Sequence, residues 1–413
     1  MTASAADERA HTAQVALSFA YFALLLAAYY LLRPVRDALA AGLGSGTIKY
    51  LSSVVFIASA GAAALYGWLV ARVSRRRLVP GLYLSFCVQV LGFAWLFSRE
   101  PASRLCAESF YVWVAVFNLL AVAAFWSFMA DLWRHTQSPR YFARIAAGGS
   151  LGGLLGPLAA HQFAASLGPV GLAQCAAALL LLAAGVGWLL TRGIPTDGFL
   201  AFDEPVGGGA LAGLRLVAAS PYLRGIALLV AGGSLLGMFV YIEVAKAAAA
   251  LYPDTALRTA YFAQRDLWVN GLSLAVQWTI APVLMRRFGI GAVLMWVCGC
   301  VATAFCGLAL WPSASLLLGI NVLMRTLEFG LGKPSRDVLY TVVDAESKYK
   351  AKNVIDTVFY RACDTAAGWL HALLVSVGAG LPMLGAVGLL IGAPLALLGR
   401  RLGVQYATRA RAH

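Results

Sequence analysis

Leu32-Arg33-Pro34-Val35-Arg36-Asp37-Ala38-Leu39 closes the first long apolar stretch of this sequence, and Gly332-Lys333-Pro334-Ser335-Arg336-Asp337-Val338-Leu339 closes a later one. Both have the same order: a cation, a proline, a second cation, then an acid. Neither is separated from the apolar run before it by a helix breaker other than its own proline. A charged side chain at the bilayer centre costs roughly 2.5–3.5 kcal/mol, so Arg33, Arg36 and Asp37 facing lipid would approach about 10 kcal/mol. Islands of this kind belong inside a helical bundle, facing one another or a polar path.

The rest of the chain makes that membrane reading unavoidable. Of its 413 residues 61% are hydrophobic and only 12% charged, and the mean hydropathy is +0.77; soluble domains carry roughly 25% charged residues. About twelve apolar spans long enough to cross a bilayer follow one another: 13–40, 48–71, 79–98, 109–132, 142–166, 168–191, 223–248, 259–285, 290–311, 314–343, 353–377 and 381–399. The net charge of +14 sits in alternate loops, at Arg72 and Arg75 to Arg77, Arg134 to Arg144, Arg286 and Arg287, Lys348 to Lys352, and Arg400 to Arg411. Basic residues on one side only place both termini in the cytoplasm and exclude nucleic acid as the partner; the lipid bilayer is the partner expected. Met1 to Ala13 carries Asp7 and Glu8 and suits neither a cleavable signal nor a transit peptide, so the first span is expected to remain as an anchor. Seven scattered cysteines and five dispersed histidines imply no disulfide, metal or cofactor.

The segment 192–222 is the longest polar stretch and divides the chain into an N-terminal six-helix half, 1–191, and a C-terminal half, 223–413. Arginines recur at matching points, Arg72 to Arg76 after the second span and Arg286-Arg287 after the eighth, as in transporters built from repeats. Gly67-Trp68-Leu69-Val70-Ala71-Arg72-Val73-Ser74-Arg75-Arg76 resembles the loop signature of the major facilitator superfamily, with Ala71 replacing its acid and Ser74 its glycine. Gly152-Gly153-Leu154-Leu155-Gly156-Pro157 is similar to that superfamily's glycine-proline motif. Gly148, Gly152 and Gly156, spaced by four, are read first as a seam for close helix packing.

Several charged groups compete for roles. Arg33 and Asp37, four apart, can pair; the alternative is that they cap a helix at the outer surface. In the second island Lys333, Arg336 and Asp337 follow Arg325 and Glu328. Glu243 and Lys246, three apart at the end of the seventh span, can pair as part of a transport path or as an internal structural ion pair. Asp131, Asp356 and Asp364 are further coupling or structural candidates. Arg33, Arg36, Lys246, Lys333 and Arg336 outnumber Asp37, Glu243 and Asp337 by two, which favours a multivalent anion, and the planar guanidinium suits phosphate.

At these residues the chain also resembles the nucleotide transporter family of ATP/ADP exchangers, chiefly its shorter bacterial relatives. The matching strings are Leu32 to Asp37, Glu243-Val244-Ala245-Lys246 with Leu251-Tyr252-Pro253, Pro334 to Asp337, and Ala351-Lys352-Asn353-Val354-Ile355-Asp356. Arg36 stands where the family usually has lysine, and no glutamate matches the family's helix-four position. The resemblance implies an all-α integral membrane protein of the major facilitator fold, a monomer of the bacterial inner (cytoplasmic) membrane, exchanging phosphorylated nucleotides. It assigns the substrate cations to Arg36 and Arg336 and a charge-balancing role to Glu243. The competing reading is a proton-coupled carrier of another organic anion, a siderophore or a drug, with Asp131, Glu243 or Asp356 carrying the proton. No phosphate loop or nucleophile motif supports an enzyme.

Overall fold

In lipid every backbone N–H and C=O must be bonded within the protein, which leaves helices for a chain of this composition. The computed structural model describes residues 2–70, 72–73, 75–132, 138–192 and 210–412, and among them there is no strand. The helices are α1 (Thr2–Gly42), α2 (Ser45–Val70), α3 (Arg75–Arg99), α4 (Arg104–Leu132), α5 (Ser138–Arg192), α6 (Ala210–Ala219), α7 (Pro221–Leu251), α8 (Thr255–Thr279), α9 (Ala281–Leu310), α10 (Ala314–Leu327), α11 (Lys333–Leu339), α12 (Ala345–Val354), α13 (Tyr360–Ser376) and α14 (Leu381–Ala412). π-helical turns at Glu328–Gly332 and Ile355–Phe359 join α10 to α11 and α12 to α13.

Nine described helices are long and apolar enough to cross a membrane, so this is a multi-pass membrane protein. Twelve expected spans become nine for identifiable reasons. Tyr141–Thr191 holds two of them, divided where Gly168 takes the positive φ of 59° that glycine alone adopts without strain. Gly289, at φ 78°, interrupts α9 in the same manner. The span expected at 259–285 is diluted by Arg265 and Asp266 in α8, and the one at 353–377 by Asp356, Arg361, Asp364 and His371. Of the segment expected to connect the halves, residues 193–209 lie outside the described residues and Ala210–Ala219 is helix.

The chain forms two compact units. Unit 1 is Met1–Leu43, Ile57–Asp203 and Ala248–Leu267; unit 2 is Gly44–Phe56, Glu204–Ala247 and Trp268–His413. In unit 1, α1 lies along α5 at the distance small residues allow. A Cβ on Gly148 or Gly152 would strike the carbonyl oxygens of Phe19 and Ala23, and one on Gly156 would lie 2.7 Å from that of Ala27. The Gly148/Gly152/Gly156 spacing is therefore a packing seam. In unit 2, α14 meets α9 similarly: a Cβ on Gly385 would lie 2.9 Å from the Phe305 carbonyl oxygen, and one on Gly392 3.2 Å from the Cα of Ala302. Behind the α1–α5 seam Tyr21 packs edge-on against Tyr83 and Phe125, and the Tyr83 hydroxyl donates to the Ala121 carbonyl.

Candidate functional site

The first island lies in the last turns of α1, where the helix continues through Pro34. Asp37 is 1% exposed and Arg33 7%. The expected i,i+4 geometry gives way to a stronger arrangement. The Asp37 carboxylate accepts from its neighbour Arg36, at 2.6 Å from Nη2, and from Arg265 Nη2 of α8 at 2.7 Å. Arg265 also donates to Asp266 at 2.8 Å, and Arg33 turns to the other Asp266 oxygen at 3.4 Å. The result is a line of alternating charge within unit 1: Arg36, Asp37, Arg265, Asp266, Arg33. It holds three cations and two acids.

Aromatic rings stand over these cations: Tyr111 over Arg36 at 5.2 Å, Phe262 over Arg265 at 4.8 Å and Tyr30 over Arg33 at 5.6 Å. Such contacts offset part of the lost hydration. Arg36 is half-buried whereas Arg265 and Asp266 are sealed. Among the described residues Arg265 Nη1, which is buried, has no hydrogen-bond partner. The α7–α8 turn that delivers α8 is clamped by Arg258, which donates to the carbonyls of Tyr252 and Pro253 and to Thr255 Oγ1. Gly42 leaves room for that guanidinium: its Cβ would fall 2.9 Å from Arg258 Nη2.

Arg265 and Asp266 were not singled out by the repeated strings. The available signal was energetic, because two adjacent charges inside the span 259–285 carry the same burial cost as the islands.

The second island, in unit 2, is built differently. The π turn Glu328–Gly332 precedes α11, and it brings Glu328 Oε1 to 2.9 Å from Arg336 Nη1. Gly332 makes room, since its Cβ would meet the Glu328 carboxylate at 2.8 Å. Lys352 pairs with Asp337 at 2.9 Å and lies 5.6 Å from the Tyr340 ring centre. Lys333 is exposed, and Asp337 is partly so.

Glu243 is buried on α7, and its nearest partner is not the expected one. His371 Nε2 of α13 lies 2.9 Å from Oε1, while Lys246 Nζ is 3.9 Å from Oε2 with its side chain 61% exposed. Asp364 accepts a hydrogen bond from Ser234 of α7, and Asp356 is half-buried in the second π turn. The side chain of Asp131 lies outside the described residues. Among the described residues no three His, Cys, Asp or Glu side chains are grouped to hold a metal ion.

No protein-family model matches this chain, and no curated protein does. Solved structures do. A D-xylose-proton symporter matches at TM-score 0.63 and 13% identity, over 93% of this chain and 96% of that one. The inward-open xylose transporter XylE from E. coli matches at TM-score 0.61 and 13% identity, over 92% and 94%. The nucleoside transporter NupG matches at TM-score 0.59 and 14% identity, over 96% and 98%. Likeness over nearly whole chains at such low identity shows the fold, and it is the all-α major facilitator fold.

Proposed function

We propose that this chain is a secondary transporter working by alternating access, and that it exchanges anionic, phosphorylated metabolites of the ATP/ADP type. The observation that carries the reading is the charge line built on the first island: three guanidiniums and two carboxylates on α1 and α8, buried at a cost that a structural role alone would avoid. Arg36 supplies the accessible cation there and Arg336 its counterpart in the second island.

The substrate-binding set is Arg33, Arg36, Glu243, Lys246, Lys333 and Arg336; Asp37, Asp337, Asp356, Asp364 and Asp131 balance charge or hold the helices. The nucleotide reading draws on the string resemblance, and a bacterial inner membrane location on the same source. Arginine binds phosphate through two parallel N–H donors, and an arriving polyanion would replace carboxylates as the partner of the clamp.

A second reading has its own observation. Glu243 beside His371 is a protonatable pair inside the bundle, and it suits a proton-coupled carrier of another organic anion, a siderophore or a drug. The experiment is exchange in proteoliposomes preloaded with unlabelled ATP, ADP, phosphate or organic acids, followed by labelled ATP outside. Arg36→Ala and Arg336→Ala are expected to lower counter-anion-dependent uptake by more than tenfold while the protein still inserts. Full exchange in either variant rejects the clamp. Uptake that needs a proton gradient and no counter-anion selects the second reading.

A further inference from the structure

We propose that His371 and Glu243 form a proton-binding site whose occupation releases Lys246 to an anionic substrate; the Lys246 half rests on the anion reading, the proton half does not. His371 is 5% exposed and Glu243 7%. The other histidine with a described side chain, His161, is half-buried and faces the backbone carbonyl of Ala260 at 3.0 Å. His371 alone among them faces a carboxylate, and an imidazole is the side chain that ordinarily gains its charge between pH 5 and 8.

The geometry gives Glu243 two partners on two oxygens. Oε1 faces His371 Nε2 at 2.9 Å and Oε2 faces Lys246 Nζ at 3.9 Å. With His371 neutral, its Nε2–H donates to Oε1 but brings no charge, so the buried carboxylate depends on the Lys246 ammonium. A proton from solvent taken up at Nδ1 makes the ring an imidazolium. The pair is then neutral by itself, and no bond to Lys246 is needed. Lys246, already at the limit of ion-pair distance on a largely exposed stem, carries an uncompensated charge that an anion can meet. Proton and anion binding thus favour one another, by the same factor in each direction.

The charges near this pair on adjoining elements have other engagements. Lys49 of α2 lies 4.8 Å from the Trp369 ring and 4.9 Å from that of Tyr50, where Gly368 admits α2. Asp364, two turns earlier on α13, is bonded by Ser234. The Phe239 ring packs edge-on against His371 at 5.6 Å.

Two measurements on the full chain test this. In proteoliposomes the KM for ATP exchange is expected to fall about tenfold from pH 8 to pH 6, one proton being linked to one anion. His371→Gln and Lys246→Gln are both expected to flatten that dependence. In the purified protein with 13C-labelled histidine, the His371 resonance, assigned by its absence in His371→Gln, is expected to change between neutral and charged forms within pH 5–9. Glu243→Gln should move that change to lower pH, because the charged ring loses its counterion. A wild-type pH profile in His371→Gln, or a His371 signal that never changes form, overturns the proposal. If the wild type exchanges no ATP, the anion reading fails and the resonance alone decides the proton site.

Discussion

The two islands share an order of residues and not an environment. In the first, Asp37, Arg265 and Asp266 are almost wholly withdrawn from solvent, and α8 carries the countercharges in from far along the chain. In the second, the countercharges come from the same helical run and the one after it, Glu328 and Lys352, and the pairs keep a third or more of one partner exposed. A cation-proline-cation-acid string therefore specifies a need for partners and leaves their source open. Where Arg265 and Asp266 of α8 reach the charges of α1, the string becomes a sealed network. Where a π turn precedes it, the string keeps Glu328, Lys352 and Asp337 partly exposed. The difference makes the countercharges of the first island sealed and those of the second open to solvent.

Removing one member of the sealed line is the severest way to break this contrast. Arg265→Ala leaves Asp37 and Asp266 buried with too few cations, and loss of one partner from a buried ionic group costs about 3–5 kcal/mol. The expected outcome is a large fall in the thermal unfolding midpoint in detergent. Arg265→Met combined with Asp37→Leu removes charge of both signs and is expected to recover much of the loss. A wild-type midpoint for Arg265→Ala would mean that water reaches the cluster, and the two islands would be alike.

The fold was legible because hydropathy governs where a membrane chain places its helices, and the islands were legible because charge in such a chain is costly. Gly148, Gly152 and Gly156 announced their seam by spacing alone. Partners were another matter. Arg265 and Asp266 belong to no repeated string, and His371 lies 128 positions from Glu243. One sequence holds nothing that links positions so far apart. Sequence spacing offered Arg33 to Asp37 and Glu243 to Lys246, since local geometry is all that spacing encodes. Tertiary packing supplied nearer acceptors in the first case and a second donor in the other. The π turns were equally hidden: an inserted residue changes which side chains meet, without altering composition.

A smaller effect sharpens what holds the first island in place. Gly156 sits against α1 one turn before Arg33, and a Cβ there would lie 2.7 Å from both the Ala27 carbonyl oxygen and Tyr30 Cβ. Backbone cannot move aside as a flexible side chain can, so Gly156→Ala has to push α1 outward. Overpacking of this kind costs about 1–3 kcal/mol. The unfolding midpoint is expected to fall, and Arg265→Ala should add less on this background than on the wild type because both act on the placement of α1. Strict additivity would show that the charge line does not depend on the helix seam.

The smallest effect belongs to the second island's outer pair. Lys352 and Asp337 are each more than a third exposed, so water and salt compete with their attraction, and exposed pairs contribute about 0.2–1 kcal/mol. A double-mutant cycle with Lys352→Gln and Asp337→Asn is expected to give a coupling in that range, shrinking as ionic strength rises from about 0.05 to about 0.5 M. The same cycle on Asp37 and Arg265 is expected to give a larger coupling that salt leaves nearly unchanged, because ions do not enter a sealed cluster. A salt-insensitive coupling at Lys352 and Asp337 would place that pair in a closed environment. The second island would then be closed to solvent as the first is.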